Sequence, residues 1–265
     1  MGASLDFEKY EGLGNDFVVI EAADERAVSV DLARKLCDRR LGIGADGVLL
    51  VLPGQNGTDG RMVVLNADGS IPEMCGNGLR CVALHVARRR GLAEGTLRFD
   101  TGAGIKRCDV AGEIITIDMG VVRHTGDVRL EGYDWSLGDA GNPHAITIQP
   151  ATRAEIETIG PKVEKNAHFP NATNVEFAVI KSPEEIDLIV WERGVGITQA
   201  CGTGACATVA VAIAKGWVPD GHEVTVNLLG GPLSIRMTAA GHAIMRGPAK
   251  FVFSGHTPLG GTSAR

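Results

Sequence analysis

Apolar residues occur along the chain mainly in short runs bounded by turn residues, a pattern typical of β-strands. The predicted strands are FVVI, GVLLVL, RMVVL, TLRFDT and EIITID in the first part of the chain, and AITI, NVEFAVI, DLIVW, EVTVN, LSIRM and AIMR in the second. Fewer segments show helical spacing. Because strands outnumber helices, the pattern indicates an α+β protein with a mixed or antiparallel sheet wrapped around helices.

Four segments are predicted to be helical. One begins after Cys75, where an apolar face recurs at helical spacing through Leu79, Val82, Ala83, Val86 and Ala87, and the same face returns after Cys201. These two helices end at Arg90-Gly91 and Lys215-Gly216, since basic residues and glycine are typical of helix ends. A third helix follows Ser29. The fourth follows Thr152, which forms a capping-box pattern with Glu155, and is predicted to stop at Gly160-Pro161.

The sequence contains an internal repeat. MCGNGLRC around Cys75 resembles ACGTGACA around Cys201, 126 residues later, and Gly14-Asn15 is matched by Gly141-Asn142, 127 residues later. Several similarities in the same order at nearly one offset indicate duplication. We therefore expect two homologous halves, residues 1–123 and 124–265, related by a pseudo-twofold axis, each with a mixed or antiparallel sheet around a central helix.

Composition and charge narrow the class of protein. The 265 residues include 26 Lys and Arg against 32 Asp and Glu, a net charge of −6, which argues against a nucleic-acid or anionic-membrane partner. No apolar segment approaches the length of a membrane span, and the N-terminus lacks the apolar core of a secretory signal, so we expect a cytoplasmic protein. Its six cysteines are then expected to be reduced, and no zinc-ligand spacing is present, so no metal is expected.

Two glycine motifs resemble nucleotide-binding turns. Gly42-Ile-Gly44-Ala-Asp-Gly47 lies between a predicted helix and a following strand, the reverse of a dinucleotide-binding turn, and is rejected. Gly202-Thr-Gly204-Ala-Cys-Ala207 does open a helix, but a loop precedes it rather than a strand. A nucleotide-binding dehydrogenase therefore stays as an alternative on a weak match.

The two cysteines at helix starts suggest acid–base chemistry. A thiol beside the unpaired N–H groups of a helix N-terminus is expected to have a lowered pKa, and the same groups can hold a carboxylate. Homologous halves commonly face each other across a cleft, which would place Cys75 and Cys201 on opposite sides of one substrate carbon. Inversion of a stereocentre needs such an arrangement, with a base on one face and an acid on the other. The repeat thus predicts an amino-acid racemase or epimerase that needs no cofactor.

Several longer motifs resemble the diaminopimelate epimerase family. They are GLGNDF at 12–17, NADGSIPEMCGNGLRC at 66–81, GNPHA at 141–145, TNVEF at 173–177 and WERGVGITQACGTGACA at 191–207. The resemblance spans nearly the whole chain. It implies the interconversion of LL- and meso-diaminopimelate without cofactor, in the biosynthesis of lysine and of peptidoglycan precursors, with diaminopimelate as the only small-molecule partner and a homodimer as an option.

The resemblance also implies roles for particular residues. Cys75 and Cys201 would be the acid and base, and His144 would support the site. The substrate's amino and carboxylate groups would be bound by ten residues, among which Glu192 and Arg193 would lie at the distal end or behind the direct contacts: Asn15, Asn66, Gly76, Asn77, Asn142, Asn174, Glu192, Arg193, Gly202 and Thr203.

Two other interpretations remain open from the sequence. Proline racemase-like proteins share the fold but are typically longer, and their first cysteine is usually followed by Gly-His, whereas Gly76-Asn77 follows here. An epimerase for another amino acid, such as histidine or a proline derivative, is one alternative, and a non-catalytic amino-acid-binding module is the other. Ile197 departs from the family pattern, because many relatives have a polar residue there.

Overall fold

The structure, a computed structural model, describes residues 4–72 and 74–258. In chain order its elements are β1 (Ser4–Gly12), β2 (Asn15–Glu21), a 3-10 turn (Glu25–Ala27), α1 (Val30–Cys37), β3 (Gly47–Leu52), β4 (Gly60–Asn66), α2 (Gly76–Arg89), β5 (Glu94–Thr101), β6 (Gly104–Ala111), β7 (Ile114–Val121), β8 (Arg123–Leu130), β9 (Tyr133–Asp139), β10 (Pro143–Thr147), α3 (Arg153–Glu164), β11 (Asn174–Ser182), β12 (Glu185–Glu192), β13 (Gly196–Ile197), α4 (Gly202–Ala214), β14 (Glu223–Leu228), β15 (Gly231–Met237), β16 (His242–Pro248) and β17 (Lys250–Pro258).

Every strand predicted from the sequence is present. The structure adds β1, β6, β8, β9, β13 and β17. Strand β8, RHTGDVRL, shows why such strands were missed, since its side chains alternate between exposed and half-buried positions and form no apolar run. Its partner β9 supplies the buried side chains instead, Trp135 among them.

The chain divides into two compact units. The first contains the described residues up to Ile115 and those from Pro248 onward, and the second is Thr116–Gly247. In the first unit the strand order is β17-β1-β2-β3-β4-β5-β6, with β2/β3 and β4/β5 parallel and the other neighbours antiparallel. Helix α2 contacts all seven of these strands, whereas α1 packs against β3 and β4. The first unit is therefore a mixed sheet around a central helix.

The second unit has the same construction. Its strand order is β8-β9-β10-β11-β12-β14-β15-β16, with β10/β11 and β12/β14 parallel and the other neighbours antiparallel. Helix α4 packs against β8 to β11 and β15, and α3 packs against β11, β12 and β13. Counted from β17 in one unit and β8 in the other, the first seven strands of the two sheets have the same succession of parallel and antiparallel pairs, and the second sheet continues with β16. The predicted α+β class, with a mixed sheet around a central helix, is confirmed in each unit.

The compact units and the predicted halves have different residue boundaries. Strand β17 comes from the C-terminal part of the chain, yet it pairs with β1 and belongs to the first unit. The division at residues 123 and 124 concerns duplication of the sequence rather than compactness. It stays a prediction.

The ends of the two central helices are as predicted. Helix α2 ends at Arg89 and α4 at Ala214, and the glycines that follow, Gly91 and Gly216, have φ of 67° and 71°. This left-handed conformation is open to glycine without steric cost and ends a helix. Within residues 4–72 and 74–258, no helix is both long and apolar enough to cross a membrane.

The predicted end of the Thr152 helix is wrong. The capping box of Thr152 and Glu155 is present, but α3 continues through Pro161 to Glu164. Gly160 allows close packing rather than a stop, since a methyl group on it would lie 2.7 Å from Trp191 Cγ. Beyond the proline, Glu164 accepts hydrogen bonds from Trp191 Nε1 at 2.7 Å and Gly194 N at 2.9 Å. These tertiary contacts outweigh the one helical hydrogen bond that proline removes.

Candidate active site

Both cysteines of the repeat cap the central helix of their unit. Cys75 is the N-cap of α2, and its Sγ accepts a hydrogen bond from Gly78 N at 3.3 Å. Cys201 is the N-cap of α4, and its Sγ accepts from Gly204 N at 3.4 Å. Each sulfur thus takes the place of the side-chain oxygen that usually caps a helix. Cys75 is half-buried and Cys201 is buried, with 7% of its surface exposed.

In the first unit the structure joins two of the predicted substrate-binding residues. Asn77 Nδ2 donates to Asn15 Oδ1 at 3.2 Å, and Asn15 Nδ2 donates to Asp46 Oδ2 at 2.6 Å. The buried Arg80 donates to Asn77 Oδ1 at 3.0 Å and to Pro248 O at 2.9 Å. Since every amide in this series has a defined partner, the orientation of Asn15 and Asn77 is determined by the protein.

Asn66 lies at the same end of the first sheet. It is the last residue of β4 and pairs with Gly47, which in turn pairs with Phe17 of β2. Its Nδ2 donates to Ser70 Oγ at 2.9 Å. The register of the sheet places Asn66 near Asn15, because Asn15 and Phe17 both belong to β2. Gly76 is the first residue of α2.

In the second unit His144 connects two polar side chains. Its Nε2 lies 2.9 Å from Asn142 Oδ1 and its Nδ1 lies 2.5 Å from Glu176 Oε1. His144 and Glu176 are both buried. Asn142 Nδ2 donates toward Thr203 Oγ1 at 3.5 Å, and that hydroxyl lies 3.4 Å from Cys201 Sγ. The structure therefore links Asn142, His144 and Thr203 to the thiol.

Asn174 and Arg193 form a second contact in this unit. Asn174, which pairs with His144 across β10 and β11, accepts from Arg193 N at 3.0 Å and donates to Pro143 O at 3.1 Å. The Arg193 guanidinium donates to Asn171 O at 3.0 Å and is exposed. Gly202 is the first residue of α4.

Glu192 influences Cys201 directly. Thr198 Oγ1 donates to Glu192 Oε1 at 2.6 Å, and burial raises the pKa of the Glu192 carboxyl above its usual range. Burial also raises the pKa of the Cys201 thiol well above its usual range, and Glu192 and Glu176, when ionised, act in the same direction. Hydrogen bonds from Thr203 and Gly204 N oppose this rise in pKa but do not cancel it.

The sequence-based expectation of a lowered thiol pKa is therefore wrong for Cys201. The helix N-terminus does favour the thiolate. However, removal from water disfavours the charged form, and two nearby carboxyl groups add to that effect. The balance of these effects favours the neutral thiol of Cys201.

This assignment predicts the pH dependence of alkylation at Cys201. A thiol with a raised pKa stays protonated through neutral pH, and alkylating reagents attack the thiolate. We expect the alkylation rate at Cys201 in the folded protein to keep rising above about pH 9, the range in which an ordinary thiol at about 8.5 is already ionised. Iodoacetamide labelling followed by peptide mass spectrometry measures it, with the urea-unfolded protein as control. A rate that levels off near pH 8.5 in the folded protein would contradict the assignment.

Four residues around the site were not singled out from the sequence: Asp46, Arg80, Glu176 and Thr198. For Glu176 a signal was present, because a glutamate interrupts the apolar run NVEFAVI of a strand that is otherwise buried up to Ala178. Aligning the repeat at 127 residues also pairs Glu176 with Leu49 and His144 with Phe17. The second half of the repeat therefore has polar residues at two positions where the first half has apolar ones.

The two glycine motifs do not form dinucleotide-binding turns. Helix α1 precedes Gly42 and strand β3 begins at Gly47, as expected. Helix α4 does connect the parallel strands β12 and β14, but a loop and the two-residue β13, which is antiparallel to β12, separate β12 from the glycine motif. The motif therefore does not follow a parallel strand directly, as it does in a dinucleotide-binding turn. Within the described part of the chain, no group of three or more His, Cys, Asp or Glu is arranged to hold a metal ion.

Solved structures with the same fold include isomerases of amino acids. A hydroxyproline epimerase from Agrobacterium vitis, with bound trans-4-hydroxy-L-proline, has a TM-score of 0.72 at 15% identity over 99% of this chain and 95% of its own. A phenazine biosynthesis protein of the PhzF family from Bacillus anthracis has a TM-score of 0.73 at 17% identity over 96% and 99%. At these identities the similarity shows the fold, that of the racemases, epimerases and PhzF-type proteins.

Sequence comparison specifies the family. The family model for diaminopimelate epimerase matches residues 7–125 and 137–252. A diaminopimelate epimerase of Gloeothece citriformis is 42% identical over 95% of this chain and 98% of its own length, and one of Desulfitobacterium hafniense is 40% identical over 95% and 97%. The chain belongs to the diaminopimelate epimerase family, as the motifs predicted.

Proposed function

We propose that the chain interconverts LL- and meso-diaminopimelate by inverting one stereocentre, with Cys75 and Cys201 as base and acid on opposite faces of the reacting carbon. One observation carries this proposal: both thiols occupy the N-cap of the central helix in units whose sheets share the same succession of strand pairs over seven strands. The double match of the family model supports the duplication on which the pairing of thiols depends.

The protonation state of Cys201 sets the direction of the first step. With Cys201 as thiol, Cys75 as thiolate removes the Cα proton, and the electron pair of the C–H bond stays on carbon. The Cys201 S–H then delivers its proton to the opposite face, which leaves Cys75 as thiol and Cys201 as thiolate. This form performs the reverse inversion, so each turnover exchanges the roles of the two residues.

The helix starts supply the stabilisation that the carbanion needs. The first N–H groups of a helix lack helical partners and lie at the positive end of its dipole. The backbones of Gly76-Asn77 and Gly202-Thr203 would thus hold the reacting carboxylate as charge develops on it. Asn15, Asn66, Asn142 and Asn174 would bind the amino and carboxylate groups of the substrate, and Arg193 with its exposed guanidinium would bind the distal carboxylate.

Of the two positions that the sequence left open for Glu192, the distal end or behind the direct contacts, this proposal takes the second. The Glu192 carboxyl acts on the Cys201 thiol, whose pKa it raises. We therefore propose that Glu192 keeps Cys201 protonated in the resting enzyme and that His144 orients Asn142. The reaction as proposed needs no cofactor, takes place in the cytosol as part of lysine biosynthesis, and is compatible with a homodimer, whose presence light scattering measures.

The reaction predicts exchange with solvent. When LL-diaminopimelate is converted in D2O, we expect the inverted carbon of each new meso molecule to carry deuterium, because the proton comes from a thiol in equilibrium with solvent. Mass spectrometry and proton NMR of the product measure the label, and a panel of other amino acids tests the substrate. Unlabelled product would contradict the two-thiol mechanism, and turnover of a panel member in preference to diaminopimelate would contradict the substrate.

A further inference from the structure

The turns at Cys75 and Cys201 pack against different side chains. A methyl group on Gly78, behind Cys75, would lie 2.9 Å from Leu49 Cδ2, and one on Gly204, behind Cys201, would lie 2.9 Å from Glu176 Oε1. Leu49 and Glu176 are equivalent, since Leu49 pairs with Val19 across β2 and β3 as Glu176 pairs with Ile146 across β10 and β11. The duplicated fold therefore carries a leucine beneath one thiol and a buried carboxyl group beneath the other.

A continuous chain of polar atoms leads from Glu176 to Cys201. Glu176 Oε1 lies 2.5 Å from His144 Nδ1, and His144 Nε2 lies 2.9 Å from Asn142 Oδ1. Asn142 Nδ2 lies 3.5 Å from Thr203 Oγ1, which lies 3.4 Å from Cys201 Sγ. The first unit has no equivalent of this chain among its described residues, because Phe17 occupies the position of His144 and Asn15 donates to Asp46 instead.

The surroundings of Glu176 favour its neutral form. Both the carboxyl group and His144 are buried, and Glu176 Oε2 has no hydrogen-bond partner within residues 4–72 and 74–258. A carboxylate with a buried unpartnered oxygen is far more costly than a carboxylic acid in the same place. In agreement, burial raises the pKa of Glu176 above its usual range, against opposing effects of His144 and the Ala145 backbone.

A neutral Glu176 determines the direction of every hydrogen bond in the chain. Its O–H donates to His144 Nδ1, which makes the ring a neutral imidazole with its hydrogen on Nε2. Nε2–H then donates to Asn142 Oδ1, so that the amide can only present Nδ2 to Thr203. Because the Thr203 oxygen accepts that hydrogen bond, its own hydrogen is available to the sulfur of Cys201.

We propose that Glu176 is a positioning residue that holds His144 in the Nε2–H tautomer and so orients Asn142 and Thr203 toward Cys201. The expected effect on turnover rests on the proposed function. The tautomer of His144 and the orientation of Asn142 and Thr203 do not. The charged and titratable groups around Cys201 are Glu192 on β12, Glu176 on β11 and His144 on β10. Thr203 is also next to the sulfur, and a hydrogen bond that it donates favours the thiolate form of Cys201.

Two substitutions distinguish hydrogen bonding by Glu176 from a role in which its side chain only fills space. In Glu176→Gln the side-chain N–H can still donate to His144 Nδ1, whereas in Glu176→Leu, which copies Leu49, it cannot. We expect Glu176→Gln to keep kcat/KM within about threefold and Glu176→Leu to lower it by about 10–100-fold, the usual effect of removing a partner behind an active-site histidine. Glu8→Gln, which alters the half-buried Glu8–His85 contact of the first unit, is the matched control and should leave kcat/KM unchanged.

Nitrogen-15 NMR of the histidine rings tests the proposed tautomer of His144 in the substrate-free protein. We expect His144 to be the neutral Nε2–H tautomer near pH 7 in the wild type and in Glu176→Gln, and to lose that single state in Glu176→Leu. A doubly protonated or Nδ1–H ring in the wild type would overturn the proposal even if Glu176→Leu did not fold. Equal activity of the leucine and glutamine variants would overturn it as well. Failure of the proposed epimerase reaction would leave the ring signals unaffected, so the two outcomes are distinguishable.

Discussion

Replacing either Cys75 or Cys201 with alanine is expected to lower the rate of epimerisation by at least about 10²–10⁴-fold, the contribution of one general acid or base. Each thiol is the only proposed proton carrier on its face of the substrate, and alanine offers no proton. The fold should persist, since the cap hydrogen bond that each cysteine accepts is worth about 1 kcal/mol. Turnover of LL-diaminopimelate and circular dichroism measure the two effects.

The same helices provide matched controls. Cys81 in α2 and Cys206 in α4 are fully buried cysteines that do not cap their helices. Alanine at these positions removes a thiol from the same element and should leave turnover nearly unchanged. Near-normal turnover of Cys75→Ala or Cys201→Ala would refute the proposed roles, whereas equal losses at all four positions would point to packing of the helices.

Replacing Arg80 with methionine is expected to lower the free energy of unfolding by about 3 kcal/mol. Arg80 is fully buried, and its guanidinium donates to Pro248 O and Asn77 Oδ1. Methionine fills much of the same volume but leaves these two acceptors without that donor, and an unsatisfied buried polar group costs about 1–3 kcal/mol. Because Asn77 in turn orients Asn15, kcat/KM should also decrease. Urea unfolding and steady-state kinetics measure the two effects.

Arg89 on the same helix is the control for that substitution. Its side chain is 61% exposed and pairs with Glu21 at 3.1 Å. Surface ion pairs contribute at most about 1 kcal/mol, so Arg89→Met should change the free energy of unfolding little. A similar loss of stability in both variants would show that the buried hydrogen bonds of Arg80 are not the cause.

Local signals predicted most of the fold. The starts of α2 and α4 followed from glycine, cysteine and apolar spacing, and their ends from basic residues and glycine, because these features act within one or two helical turns. The end of α3 was missed because it depends on Trp191 and Gly194, which are distant in sequence. Strand β17 was missed because its pairing with β1 joins the two ends of the chain.

For the candidate site, the motifs identified many of the residues but were less informative about the role of each one. The repeat singled out Cys75 and Cys201, and the motif GNPHA contained Asn142 and His144. Glu176 belongs to the motif TNVEF, but the motif assigns it no role. Only the packing of α4 on β11 shows that its carboxyl group lies beneath Gly204. Asp46 and Arg80 likewise gain their roles from hydrogen bonds formed across the sheet and helix.

The sequence by itself determined the family and the position of each thiol at a helix start, and it predicted the duplication, since all three depend on residue identity and spacing. The tertiary structure alone decided the direction of the pKa shift at Cys201. A helix N-terminus favours a thiolate, but burial and two carboxyl groups from separate strands favour the thiol more strongly. Desolvation and charge depend on which side chains surround an atom, and that arrangement exists only after the strands and helices have packed.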